Sequence, residues 1–320
     1  MPKAMTIGVD IGGTKVAAGL VDSSGEISHK TRAPMVATVD AATGFAAVKD
    51  AVDAVFSEFP EARAAVTGIG ICAPGPLDPE TGVVLNPPNL PCWRNYPLAA
   101  AVERVFGVPA RVDNDANAAG LAEALWGAGA GYTNVFYATL GTGIGTGIVF
   151  DKKIYHGRTG SAAECGHMTI DFHGHRCGCG KRGCIEALAS GPNIARRAQA
   201  RLRGAGASRI VQLAGSLEQV RAEHVGQAFR EGDAVATEVL TETAHLLTVW
   251  LGNIVDLLEP DVMVVGGGVA ELMSSFFESI SKNLPHWAIN QRAGEIPLVM
   301  ARYGADAGIA GGGALCRSAV

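Results

Sequence analysis

Residues 166–184, GHMTIDFHGHRCGCGKRGC, hold three cysteines and three histidines. Cys177, Cys179 and Cys184 have the spacing C-x-C-x4-C, and His167 lies ten positions before the first. Three thiolates and one imidazole suit tetrahedral zinc in a closed structural site. A redox pair usually reads C-x-x-C, so C-x-C argues against that chemistry. His173 and His175 lie closer to Cys177, and spacing alone leaves the fourth ligand open among the three histidines. The glycines at 178, 180 and 183 let a short loop fold around an ion. A second candidate is VDNDANAAG, which sets Asp113 and Asp115 between a short strand and a helix. A carboxylate there either caps the helix N-terminus or, at the strand's end, accepts a hydroxyl proton.

Three glycine turns complete the set: DIGGTK (10–15), LGTGIGTG (140–147) and VVGGGV (264–269). Glycine lets the main chain approach a phosphate closely, and consecutive amides form an anion-binding concavity. The chain's G-x-G-x-x-G match, GCGKRG at 178–183, sits inside the cysteine cluster and not between a strand and a helix. As a dinucleotide fingerprint it is a false positive.

The elements that must carry these residues are legible in the pattern. TIGVDIG, KVAAGLVD and ISHKTRA read as a strand meander broken by Gly and Ser-Gly turns. Phe45, Val48, Val52, Val55 and Phe56 recur at helical spacing and predict a helix over 41–58. VTGIGICAPG is a buried strand that enters a proline-rich loop, 73–97. PARVDN is a further strand, followed by the helix DANAAGLAEALWG. A second meander starts at 134 and repeats the first in kind, with its glycine turn about 130 residues after the first, as expected of two duplicated α/β halves. A long helix is predicted over 234–258, stopped by Pro260, and DVMVVGGGVAELMSSFFESI reads as strand, turn and helix.

The 320 residues suffice for two domains, and 48% hydrophobic with 18% charged residues is a globular composition. A net charge of −5 gives no basic footprint for nucleic acid. Seven cysteines are too few and too clustered for a disulfide scaffold. The uncharged stretch 124–150 carries seven glycines and four threonines, unsuited to lipid. MPKAMTIGVD reaches an aspartate before any signal-peptide core, so a cytoplasmic protein with no membrane partner is expected.

DIGGTK, LGTGIGTG, ECGH and CGCGKRGCIE occur in an order and spacing that resembles the ROK family of sugar kinases, over residue 6 to about 313. The resemblance, strongest to the family's glucokinases, implies a two-domain α/β fold like actin and hexokinase, with ATP and Mg2+ in a cleft between domains. Gly12, Gly13, Thr14 and Lys15 would hold phosphates from one side and Gly141, Thr142 and Gly143 from the other. Gly266 and Gly267 would lie near the adenosine, and Asp10 near the magnesium shell. It selects His167, with Cys177, Cys179 and Cys184, for a structural Zn2+. It assigns the general base to Asp115 and sugar contacts to Asn89, Asn114, Glu164, His167 and Glu186. The small domain is expected over 1–112 plus 305–320, and the large domain over 113–304. The implied activity is an ATP-dependent hexose kinase making glucose 6-phosphate, in a homodimer or homotetramer. Kinases for N-acetylglucosamine, N-acetylmannosamine or fructose are the alternatives. A sugar-sensing repressor of the same family is disfavoured, because Asp10 leaves no room for a helix-turn-helix domain before it.

Overall fold

The computed structural model describes residues 4–204 and 208–317. Positions 1–3, 205–207 and 318–320, which the sequence reading assigned to one domain or the other, lie outside them. The chain divides into a first unit, Met1–Tyr137, Gly147–Ala163 and Ala301–Val320, and a second, Ala138–Thr146 and Glu164–Met300.

In the first unit β1 (Met5–Ile11), β2 (Lys15–Val21) and β3 (Ile27–Pro34) form the antiparallel meander. The helix Ala41–Glu58 follows, capped by Asp40, whose side chain accepts from the Thr43 amide at 2.7 Å. Its buried Val48, Val52, Val55 and Phe56 form the predicted apolar stripe. β4 (Val66–Ala73) pairs in parallel with β1. The stretch expected as a proline-rich loop contains a small antiparallel sheet of two-residue strands, β5 (Leu77–Asp78), β6 (Val83–Val84) and β7 (Tyr96–Pro97). β8 (Ala110–Asn114) pairs in parallel with β4 and leads directly into the helix Asp115–Trp126.

This pairing corrects the expected domain boundary. β8 is the fifth strand of the first sheet, so Asp113, Asn114 and Asp115 belong to the first unit and do not open the second. Motif order along the chain does not reveal which sheet a strand completes.

The C-terminal helix Ala307–Leu315 lies on this sheet with backbone against backbone. A Cβ at Gly8 would fall 1.8 Å from the Ile309 carbonyl oxygen, and one at Gly70 1.7 Å from that of Gly312. The same contact brings the helix start to the end of β1. A Cβ at Gly308 would lie 2.4 Å from Asp10 Cγ, and the Cys72 thiol donates to the Gly308 carbonyl at 3.0 Å. Glycine at these positions fixes where Asp10 sits.

β9 (Asn134–Leu140), β10 (Ile144–Phe150), β11 (Lys153–Ile154), β12 (Val262–Gly266) and β13 (Leu298–Met300) make a second sheet. Its order, β11-β10-β9-β12-β13, repeats the first sheet's β3-β2-β1-β4-β8. The two glycine turns therefore occupy equivalent hairpins, as the duplication predicts. In the second unit the long helix Ala234–Leu258 ends at Glu259, one residue before Pro260, as expected. Its fully buried Trp250 donates from Nε1 to the Cys165 carbonyl at 3.0 Å, anchoring the start of the histidine and cysteine segment. Among the described residues no helix is long and apolar enough to cross a membrane.

Candidate functional site

The donor atoms of His167, Cys177, Cys179 and Cys184 all lie within 4.8 Å of one another. His167 Nδ1 is 3.6 Å from Cys177 Sγ, and Cys179 Sγ is 3.7 Å from Cys184 Sγ. A tetrahedral ion with the bond lengths of zinc to sulfur and nitrogen needs edges of about 3.6 Å for N···S and about 3.8 Å for S···S. The donor set fits that ion. His173 and His175 are exposed and stand outside the group, His173 against the Phe172 ring at 4.0 Å. Burial and the neighbouring thiols push the Cys184 thiol up to about 12. Three thiols this close ionise together only when a cation shares their charge.

Two of the three expected loop glycines are required by geometry. Gly180 and Gly183 have φ of 93° and 62°, and a Cβ at Gly183 would lie 1.5 Å from the Asp171 carbonyl oxygen. Gly178 has neither a left-handed φ nor a close neighbour, because the turn reverses at the other two.

Glu186 joins this centre to the second glycine turn. Its Oε1 lies 3.8 Å from His167 Nδ1, while its Oε2 accepts from the Ile144 amide at 3.0 Å. A Cβ at Gly143 would sit 2.7 Å from that Oε2, so glycine there makes room for the carboxylate. The Glu164 side chain is exposed, and its carbonyl accepts from the His167 amide at 3.0 Å.

Gly141 and Thr142 line a cavity of about 730 Å³, together with Gly191, Arg221, Gly268 and Glu271. The Gly141 carbonyl accepts from the Gly191 amide at 2.8 Å, at the start of the helix Gly191–Leu202. Of the third glycine turn Gly268 and Val269 reach this cavity. Gly267, at φ 90°, instead lets β12 approach β9, where a Cβ would meet the Leu140 carbonyl oxygen at 2.4 Å. Arg221 and Glu271 carry no motif, and only the folding of separate helices gathers them.

In the first unit the turn Gly12–Lys15 is open to solvent, closed by the Gly12 amide on the Lys15 carbonyl at 2.9 Å. A Cβ at Gly13 would lie 3.3 Å from the Asn89 carbonyl oxygen, so Asn89 stands beside this turn. Its loop is held by the fully buried Leu90 and Trp93; Trp93 donates to the Ala41 carbonyl at 3.3 Å and stacks on Tyr96 at 5.4 Å. Burial raises the Asp10 carboxyl above its ordinary value, the charge of Asp115 adds to the rise, and Lys15 opposes both.

The three residues at the end of β8 divide their work. Asn114, not either aspartate, caps the helix, accepting from the Ala116 and Asn117 amides at 2.9 and 3.4 Å. Asp113 is buried and pairs with His156 Nε2 at 2.6 Å, and it also accepts from Asn117 Nδ2 at 3.2 Å. Asp115 keeps its side chain open to water on one side while protein crowds it on the others. That crowding pushes its carboxyl up, and the Ala116 amide pulls it back.

His156 escaped the sequence reading because it lies 43 residues from its partner. Asp113→Asn is expected to destabilise the chain by about 1–3 kcal/mol, since it strips the partner from a half-buried imidazole. The Asp113 hydrogen bond raises the His156 imidazole above its ordinary value, against opposing burial. The pair's stabilisation is therefore fully present below the ordinary histidine value and is lost as pH climbs through the raised one. Thermal melts of both proteins should show their gap widest near pH 6 and narrowing in alkaline buffer.

The chain matches the ROK family over residues 6–319. It is 35% identical over 319 residues to a glucokinase of Streptomyces coelicolor, covering 98% of each chain. To an N-acetylmannosamine kinase of Escherichia coli O157:H7 it is 33% identical over 318 residues, again covering 98% of each. A solved ROK family glucokinase from Streptomyces griseus, in complex with glucose and AMPPNP, matches with a TM-score of 0.80 at 37% identity, covering 98% of this chain and 99% of that one. This likeness bears out the expected fold class, that of the actin-like and hexokinase-like kinases.

Proposed function

The chain belongs to the ROK family, and on that premise we propose that it is an ATP-dependent hexose kinase that phosphorylates glucose at O6. The observation that carries this reading is the division of labour after β8. Asp113 is tied to His156 and Asn114 caps the helix, while Asp115 keeps a carboxyl open to solvent at a raised proton affinity. Such a group suits a general base that takes the O6 proton as the bond to phosphorus forms. Phosphoryl transfer has a loose transition state, so holding the hydroxyl in line matters as much as basicity. Asn114 has its oxygen committed to the cap, which leaves its amide group to donate to a hydroxyl.

The turns Gly12–Lys15 and Gly141–Gly143 are the phosphate cradles of this reading, and the cavity behind Gly141 is roomy enough for a nucleoside. Mg2+ bound with ATP supplies positive charge beside the transferring phosphate. Asp10, whose ionisation is opposed by Asp115, is the carboxylate best placed to profit from such an ion. Zn2+ is assigned to His167 Nδ1, Cys177, Cys179 and Cys184, where it is structural. Holding the imidazole by Nδ1 leaves Nε2 to a sugar hydroxyl, and the same reading gives further hydroxyls to the carboxylates of Glu164 and Glu186.

The test is a coupled kinase assay over glucose, mannose, fructose, N-acetylglucosamine and N-acetylmannosamine. A pocket that hydrogen-bonds several hydroxyls rejects analogues lacking one, because the buried partner is left unpaired. The loop PNLPCW, pinned by Trp93, resembles that of glucokinases. Glucose should show the highest kcat/KM, by at least about tenfold over N-acetylglucosamine, a gap of ~1.4 kcal/mol. Equal rates with an acetylated hexosamine would keep the kinase and remove glucose as its substrate. No transfer to any sugar would favour the family's sugar-sensing, non-catalytic role.

A further inference from the structure

Arg111, Lys153 and His156 ring a cavity of about 240 Å³ in the first unit, with Pro79, Asp113 and Leu315 also in its wall. The three basic groups come from separate places: Arg111 from β8, Lys153 from β11, and His156 from the segment after it. Among the described residues Asp113 is the only carboxylate in the wall, and it is taken by His156 Nε2 at 2.6 Å. Neither Arg111 nor Lys153 meets a carboxylate among the described residues. Two cations thus converge on one concavity with no ion-pair partner of their own among the described residues. Isolated surface cations are ordinary, but a concave wall with low-dielectric sides focuses their field on whatever enters.

The geometry points to a second ligand site, one for a small phosphate-bearing anion. Arg111 offers its planar fork to two phosphate oxygens, Lys153 adds a compact charge, and His156, when protonated with its Nε2 on Asp113, also donates from Nδ1. The volume is below the roughly 300–1,000 Å³ of pockets for drug-sized ligands, which suits free phosphate or phosphate on a short carbon skeleton. Adenine nucleotides are better served by the larger cavity in the second unit. The position has a consequence. β8 runs from Arg111 through Asp113 into Asn114 and Asp115, so an anion that engages His156 acts on the buried carboxylate two residues before the proposed base. That consequence for turnover rests on the kinase reading; binding of the anion does not.

Histidine-ring NMR separates the two. The probes are inorganic phosphate and glucose 6-phosphate, with glucose as the uncharged control. Each phosphate probe should move the imidazole resonance that is missing from His156→Gln, and glucose should not. In the double variant R111Q/K153Q, whose melting temperature verifies folding, the dissociation constant read at His156 should rise at least about tenfold. The single variants should each show a smaller rise. A response to glucose 6-phosphate alone that is weakened in R111Q/K153Q identifies a sugar phosphate as the ligand, and a response to inorganic phosphate alone identifies the free ion. A His156 resonance that neither probe moves, or equal affinity in the double variant, overturns the site. Neither outcome bears on whether the chain phosphorylates glucose.

Discussion

Asp115→Asn is expected to cut turnover with glucose by at least about a hundredfold, the scale of general-base catalysis, while sugar affinity and melting temperature stay close to those of the unaltered protein. The substitution keeps the side chain's shape and removes only its ability to take a proton. It costs little stability, because the Asp115 side chain is open to solvent and Asn114 holds the helix cap. It also relieves the charge that Asp115 imposes on Asp10. A decisive control is Asp113→Asn two positions earlier, which should lower the melting temperature and leave most of the turnover. Single-turnover phosphoryl transfer with both variants, beside equilibrium glucose binding, separates chemistry from affinity. An active Asp115→Asn beside a folded but inactive Asp113→Asn would move the base from Asp115 to Asp113.

The contrast between those two aspartates shows where sequence reading stops. Asp113, Asn114 and Asp115 are adjacent and chemically alike, and each was a plausible cap or base on local grounds. Their roles separate only when β8 is registered against β4 and the helix start is set, because register decides which side chain turns inward. His156, arriving from the far side of β11, then claims the inward one. Periodic elements were legible because their signal is local: the helices Ala41–Glu58 and Ala234–Leu258 have the expected bounds. The cysteine spacing was legible for a similar reason, since four donors within nineteen residues need only a loop to meet. Sheet membership, and with it the unit that carries Asp113, Asn114 and Asp115, was not. Nor was the glycine contact between Gly70 and Gly312, since a lone strand glycine gives no hint of the backbone that lies 1.7 Å from its missing Cβ. The cavity residues Arg221 and Glu271 are ordinary surface types until separate helices bring them to Gly141.

Protein purified without chelator should carry one tightly held zinc per chain by metal analysis, and Cys179→Ser should lose it. The energy of such a site is partly folding energy, because the unfolded chain does not present the ligands together. Here the ligands come from a 3-10 turn at Cys165–His167, a reversing loop, and Cys184 at the head of the helix Ile185–Ala189. Serine in place of one thiolate leaves the remaining thiols crowded without their counter-charge. A loss of about 3 kcal/mol or more follows, enough to lower the melting temperature by roughly 5 °C. Cys92→Ser, outside the cluster, should change neither zinc content nor melting. The effect should also reach the chemistry, because Glu186 touches both places. Its Oε1 faces His167 Nδ1 at 3.8 Å and its Oε2 holds the Ile144 amide at 3.0 Å, so a displaced imidazole frees the carboxylate that steadies the turn Gly141–Gly143. KM for ATP and for glucose should therefore both rise in Cys179→Ser below its melting temperature. Full zinc content in that variant would remove Cys179 from the ligand set, and a wild-type protein with no zinc at all would remove the metal and leave Glu186 to orient the turn unaided.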